Sequence, residues 1–248
     1  MRIPTKLGRD TIAESIFELR FVPDKEPAFE LLLGLIYSSL QGEFPSVIQL
    51  PIMQLPRNII ESDPNLIYQP LNRLDGEHYG ISIGRRSVAV HAKYPYQGWA
   101  IYRPLILRVV KLLKETNVVG KVERFSLKYL NVLPNDVMPE GIDALKVNLN
   151  MGDLQYKKAT VHIRTEIEKG PTITIAQIST GANVLLANHQ ANIVGTLVDI
   201  DTVFMKIEGD FWTSIENNLE LAHSTEKEIF FNLLQEPALA KLKPEYAQ

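Results

Sequence analysis

The chain has 248 residues, 45% of them hydrophobic and 22% charged, an ordinary globular composition on a chain long enough to enclose its own core. A formal net charge of −3 gives no bulk attraction to nucleic acid or to an anionic membrane. The absence of cysteine excludes disulfides, zinc–thiolate centres and thiol nucleophiles.

The first nine residues are polar and lack the apolar core of a signal peptide. No apolar run approaches the roughly 20 residues needed to cross a bilayer. A cytoplasmic protein that does not engage a membrane is the expectation.

Residues 11–22 alternate, with Ala13, Ser15, Phe17, Leu19 and Phe21 on one side and Glu14, Ile16, Glu18 and Arg20 on the other, which predicts a strand with one apolar face. Residues 27–42 place Phe29, Leu32, Leu33, Ile36 and Leu40 at helical spacing. Four prolines make residues 43–65 mostly irregular, with a short strand near Val47 to Leu50 and another at 66–73 interrupted by Pro70. Residues 77–93 predict a hairpin turning at Gly84-Arg85, which would set Ile81 opposite Val88 and His78 opposite His91. Residues 97–117 predict a long helix with a stripe of Ile101, Leu105, Val109, Leu112 and Leu113, interrupted or started at Pro104.

Residues 122–133 alternate again, with Phe125, Leu127 and Tyr129 opposed to Arg124, Ser126 and Lys128. The prolines, glycine and acids of 134–141 mark a boundary between an N-terminal module, 1–135, and a C-terminal module, 136–248, packed side by side. Beyond it, 144–150 reads as a strand. Residues 157–179 read as a hairpin with a Glu168-Lys169-Gly170 loop, aligning Ile163 with Ile175 and putting His162, Arg164, Glu166, Thr172 and Thr174 on a polar face. A strand follows at 194–207. The last helix covers 210–235, with Asp210 as N-cap and Pro237 as its stop. The fold class is therefore α+β: twisted antiparallel sheets with three amphipathic helices.

Taken in order, TIAESIFELRF, YQGW, RFSLKYLNVLP, LVDID and the terminal helix with His223 and Phe230 resemble a sporadically distributed family of bacterial and archaeal proteins of about this length. It departs from that pattern in GRDTIAES before the first strand and in Lys128 where an arginine is expected. Members carry no assigned activity, so the resemblance implies an architecture and not a reaction. It also suggests a place in mobile or host-defence gene clusters.

Signatures of common enzymes are missing: GxxxxGK[ST], GxSxG, HExxH, the EF-hand loop and GxGxxG do not occur. Strand parity brings Glu14, Glu18, Arg20, Arg124 and Lys128 to one sheet face, and the hairpin adds His78 and His91. Such a face binds an anion or polar ligand, shares a metal between His78 and His91, performs acid–base work, or is simply a solvated surface of cross-strand ion pairs. Asp199 and Asp201 share a strand face, as a carboxylate pair for a divalent metal does, or as any exposed strand does. His223 stands alone on the last helix, where a histidine is usually a partly buried residue with one hydrogen bond. Arg85, Arg86, Lys93 and Arg103, with Tyr94, Tyr96, Trp99 and Tyr102 near them in sequence, could form a single-strand nucleic-acid surface, though the net charge disfavours it. The same aromatics suit a homo-oligomer contact. The expectation is a non-enzymatic binding or scaffold protein without a cofactor, a homo-oligomer acting through the polar sheet face or an oligomeric surface, with a protein partner as a further possibility. The alternative is an enzyme or accessory factor acting on nucleic acid or nucleotide.

Overall fold

The computed structural model describes residues 2–24, 28–139, 141–150, 152–153, 160–186, 192–205, 207 and 209–247. A nine-stranded antiparallel sheet forms its frame, in the order β3-β4-β5-β6-β2-β7-β10-β9-β8. In chain order these strands are β2 (Ile12–Pro23), β3 (Ser46–Gln49), β4 (Pro70–Asp75), β5 (Tyr79–Gly84), β6 (Ser87–Lys93), β7 (Val119–Pro134), β8 (His162–Lys169), β9 (Thr172–Leu185) and β10 (Asn192–Phe204). A separate two-stranded ribbon joins β1 (Lys6–Leu7) to β11 (Pro244–Glu245), near the two ends of the chain. Three long helices, α1 (Ala28–Leu40), α3 (Trp99–Thr116) and α4 (Phe211–Leu233), accompany the short α2 (Arg57–Ser62) and α5 (Glu236–Lys241). The α+β class with antiparallel sheets is what the alternation and the helical spacing call for. Among the described residues, no helix is long and apolar enough to cross a membrane.

Alternation survives intact on β2, where Ala13, Ser15, Phe17, Leu19 and Phe21 are buried and the intervening residues are half-exposed. That inner face meets the apolar stripes of α1, α3 and the first half of α4 in one cluster. A second cluster lies beneath the far half of α4 and α5, built from Leu133, Val198, Ile200, Phe230 and Phe231 among others. The β7–β10 ladder, from Pro134↔Gly195 to Phe125↔Phe204, carries one sheet across the 135/136 boundary. Asp210 caps α4 by accepting the Trp212 amide at 3.2 Å.

Several local expectations are corrected. The 77–93 hairpin turns through Arg85-Arg86, so Ile83 faces Val88, Ile81 faces Val90 and Gly80 faces His91. A two-residue slip preserves which side chains face inward, so hydrophobic pattern could not distinguish the registers. Gly84 is needed for close approach and not for a turn: a Cβ there would lie 2.7 Å from the Gln69 carbonyl and 2.7 Å from the Ser87 hydroxyl. The later hairpin turns through Gly170-Pro171, with Gly170 at φ +60, and pairs Ile163 with Ile178. This odd shift keeps His162, Arg164 and Glu166 outside, but turns Thr172 and Thr174 inward. Residues 157–159 of that predicted hairpin lie outside the described residues. Residues 144–150 are not a strand; a 3-10 turn at Gly141–Ala144 and a single bridge from Leu145 to Leu234 take their place. Pro237 does not stop helical structure but opens α5 within its first turn, the position where proline's missing N–H costs nothing.

Candidate functional site

The outer sheet face assembles as strand parity requires, but its charges meet one another. Arg20 Nε donates to Glu18 at 2.7 Å, and Arg124 reaches the same carboxylate at 3.3 Å. Glu14 accepts a hydrogen bond from His91 Nδ1 at 2.8 Å. Burial pushes the Glu14 carboxyl up, but the bond to His91 and the charges of His91, Arg73 and Lys128 leave it below the ordinary carboxylate range. Lys93 is almost wholly buried and bonds Asp75 at 2.8 Å and the Gly76 carbonyl at 2.6 Å.

The expected His78–His91 pair does not form, a correction that follows from the two-residue register change: the His78 carbonyl accepts the Lys93 amide, and its ring lies 3.6 Å from exposed Glu77. Asp199 and Asp201 both join this outer face, where Lys128 Nζ lies 3.6 Å and 3.9 Å from their carboxylates. Burial raises both acids above the ordinary range despite that cation. Among the described residues, no third histidine or acid completes a metal-ligand set with them. The ammonium already supplies the positive charge that a divalent ion would bring.

The basic–aromatic group does not form one surface. Tyr102 is fully buried, Lys93 is enclosed, Arg103 pairs with Glu216 and Glu220, and Arg85 sits over the Phe29 ring.

A cleft of about 780 Å³ opens instead where the two core clusters meet, between residues 5–12, the start of α3, β7 and α4. The β1–β11 ribbon brings Lys6 and Leu7 to its edge. Tyr96 and Trp99 enter at the start of α3, Tyr129 comes from β7, and His223, Glu226, Lys227, Phe230 and Phe231 come from α4. On α4 these five positions fall at helical three- and four-residue steps, so they share one face.

Within the cleft, the Tyr96 and Tyr129 hydroxyls lie 3.2 Å apart and Tyr129 is hydrogen-bonded to His223 Nδ1 at 3.1 Å, a continuous chain of three. Trp99 stacks on the His223 ring and donates Nε1–H to Glu220 at 3.1 Å. Burial lowers His223 from 6.5 to about 4, aided by the Lys227 charge, so the imidazole is neutral at physiological pH. Burial also holds Tyr96 and Tyr129 well above the ordinary phenol range, so both keep their protons. Asp10 accepts the backbone amides of Ile12 at 3.0 Å and Tyr96 at 3.1 Å; burial raises its carboxyl more than those bonds lower it. Glu226 is 3% exposed. Hydrogen bonds from the side chain and backbone of Thr202 favour its ionised form, but burial raises its pKa well above the ordinary carboxylate range.

The arrangement is an apolar, aromatic-walled recess with a few convergent polar groups, among them the neutral His223 imidazole and the protonated Tyr96 and Tyr129 phenols. Sequence reasoning singled out His223 alone and read Tyr96 and Trp99 as surface residues. Tyr129 was read only as a strand residue opposed to Lys128, and Glu226 and Lys227 carried no motif; the usable signal was an acid, Glu226, on the apolar stripe of α4, between Ala222 and Phe230. No family model matches the chain, and no curated protein matches it.

Proposed function

We propose that the protein is a non-enzymatic binding protein that takes a small organic molecule into the cleft between residues 5–12, α3 and α4. The observation that carries this reading is the convergence of Trp99 and the Tyr96–Tyr129–His223 chain on one recess. Its volume, about 780 Å³, falls within the range of about 300–1,000 Å³ that holds small ligands. Aromatic walls supply contact area, and neutral hydroxyl and imidazole groups supply direction without the cost of desolvating a charge. The outer sheet face supports binding less well, because its acids are already engaged by its own cations, Glu18 by Arg20 and Arg124, and Asp199 and Asp201 by Lys128. Self-association is not required for this reading, since every lining residue comes from one chain.

The test is a thermal-shift screen of small organic compounds against the wild-type protein and Ala100→Trp. Ala100 lines the cleft from an exposed helix position, so the larger ring obstructs the recess without entering the core. Compounds that raise the Tm of the wild type and not of Ala100→Trp are the expected result, because a ligand of the native state stabilises it by mass action. A screen without stabilising compounds, or one whose compounds act equally on both proteins, overturns the reading.

A further inference from the structure

Among the described residues, the nine-stranded sheet ends on β3 at one side and on β8 at the other. An edge strand presents unpaired N–H and C=O groups to any other chain unless something blunts it. β3 is blunted: it has four residues and lies between Pro45 and Pro51. β8 has eight residues, HIRTEIEK, contains no proline, and is exposed at every position but Ile163.

The ladder with β9 fixes which backbone groups of β8 are free. The Thr180 amide donates to the Val161 carbonyl at 3.0 Å, and these two residues continue the register of His162↔Ser179. Bonded and non-bonded pairs alternate along an antiparallel ladder, so Ile163, Thr165, Ile167 and Lys169 bond β9. His162, Arg164, Glu166 and Glu168 direct their N–H and C=O groups outward. Facing residues of a further antiparallel strand are either both bonded or both not. Two copies of β8 about a two-fold axis therefore set even-numbered residues against even-numbered ones, and one residue at the centre faces its own copy.

Charge selects that centre. Centring on Arg164 or on Glu166 sets like charges directly opposite each other, which is unfavourable. Centring on Ile163 opposes His162 to Arg164, and centring on Ile167 opposes Glu166 to Glu168. Centring on Thr165 gives complementary pairs throughout: Arg164 faces Glu166 of the second copy and the reverse, His162 faces Glu168, and Ile163 faces Ile167, which is 48% exposed in the single chain. Arg164 and Glu166 already pair within one chain. A second copy turns that exposed pair into a ring of two arginines and two glutamates.

We propose that a second copy of this chain pairs antiparallel with the free edge of β8, in the register centred on Thr165, so that one sheet runs through a symmetric dimer. This stands apart from the cleft, which no residue of β8 lines. Sedimentation of the full chain from about 1 to about 500 µM is expected to show a reversible monomer–dimer equilibrium that weakens as salt rises. Arg164→Glu and Glu166→Arg each place like charges across the seam twice, and each is expected to raise the dimer Kd about tenfold or more. Mixed in equal amounts, the two variants restore opposite charges and are expected to associate as the wild type does, a recovery that a folding defect does not permit. The chain has no cysteine, so Thr165→Cys supplies a single thiol. Non-bonded facing residues have Cα atoms about 4.5 Å apart, close enough for a disulfide. Diamide is expected to link Thr165→Cys chains and not Ile167→Cys chains, whose thiol faces Ile163. A chain that stays monomeric throughout, charge variants that associate as tightly as the wild type, a mixture that fails to recover, or equal cross-linking of the two cysteine variants overturns the proposal.

Discussion

The indole of Trp99 stacks on the imidazole of His223, with ring centroids 4.2 Å apart and planes 11° from parallel. This contact ties the start of α3 to the middle of α4 and forms one wall of the cleft. It also removes the imidazole from water, which is the main reason His223 resists protonation.

The first prediction follows from that resistance. The unfolded chain takes a proton on His223 near pH 6.5, whereas the folded chain refuses it until about pH 4. Between those values the unfolded state binds more protons, so stability falls as pH falls through the window. An NMR titration of the His223 ring should show a midpoint near 4. Trp99→Ala, which uncovers the ring, should move that midpoint back toward 6.5; a midpoint near 6.5 in the unmodified protein contradicts the buried geometry.

Glu226 responds in the opposite sense. Its folded pKa lies well above its ordinary value, so the folded chain keeps a proton that the unfolded chain gives up above about pH 4.5. Stability is therefore lost as pH rises, by about 1.4 kcal/mol per pH unit until the folded group ionises. Glu226→Gln removes this loss. Urea unfolding from pH 4 to 8 should show the variant equal to the wild type at the acid end and increasingly more stable above pH 5. Parallel curves for the two proteins would mean that Glu226 is not held neutral.

On the outer face, Lys128 is the cation nearest both Asp199 and Asp201, whose side chains are each 12% exposed. Lys128→Met leaves two nearly buried carboxylates without it. Because the lysine itself is 29% exposed, the cost should be about 2–3 kcal/mol at pH 7, below that of a fully buried pair. The penalty should fade toward pH 4 as the acids protonate. Unfolding the variant at both pH values tests the charge origin; a pH-independent loss would indicate packing alone.

Tyr102 supplies the last prediction. From α3 its hydroxyl donates to the Val90 carbonyl at 2.6 Å and accepts the Phe17 amide at 2.9 Å, inside the first core cluster. Tyr102→Phe keeps the ring but leaves a buried N–H and C=O unpaired, which should cost about 1–3 kcal/mol. Amide hydrogen exchange at Phe17 should accelerate more than at its strand neighbours. Unchanged protection there would show that the hydroxyl is dispensable.

Much of the scaffold was legible because burial leaves a periodic trace. The inward residues of β2 and most of the stripes of α1, α3 and α4 stand where two-residue and 3.6-residue spacing puts them, but Ile101, expected on the α3 stripe, is exposed and Tyr102 and Ile106 are buried instead. Register was less legible. A shift of two residues in the first hairpin leaves the oil-and-charge pattern unchanged, and the contact that selects the true pairing, Gly84 against Gln69, comes from a different part of the chain. In the second hairpin the periodic signal misled, because threonines such as Thr172 and Thr174 have enough apolar surface to face inward.

The cleft is the clearest instance of this division. By itself the sequence determined the class of fold, the inner and outer faces of each long strand, and the band of charge opposite the helices, since these depend on neighbours along one element. Only the tertiary structure decided that Tyr96, Trp99, Tyr129, His223 and Glu226 would share one recess, drawn from three elements up to 130 positions apart. Desolvation, which lowers the pKa of His223 and raises that of Glu226, is a property of everything packed around a group, and no spacing of residues along the chain records it.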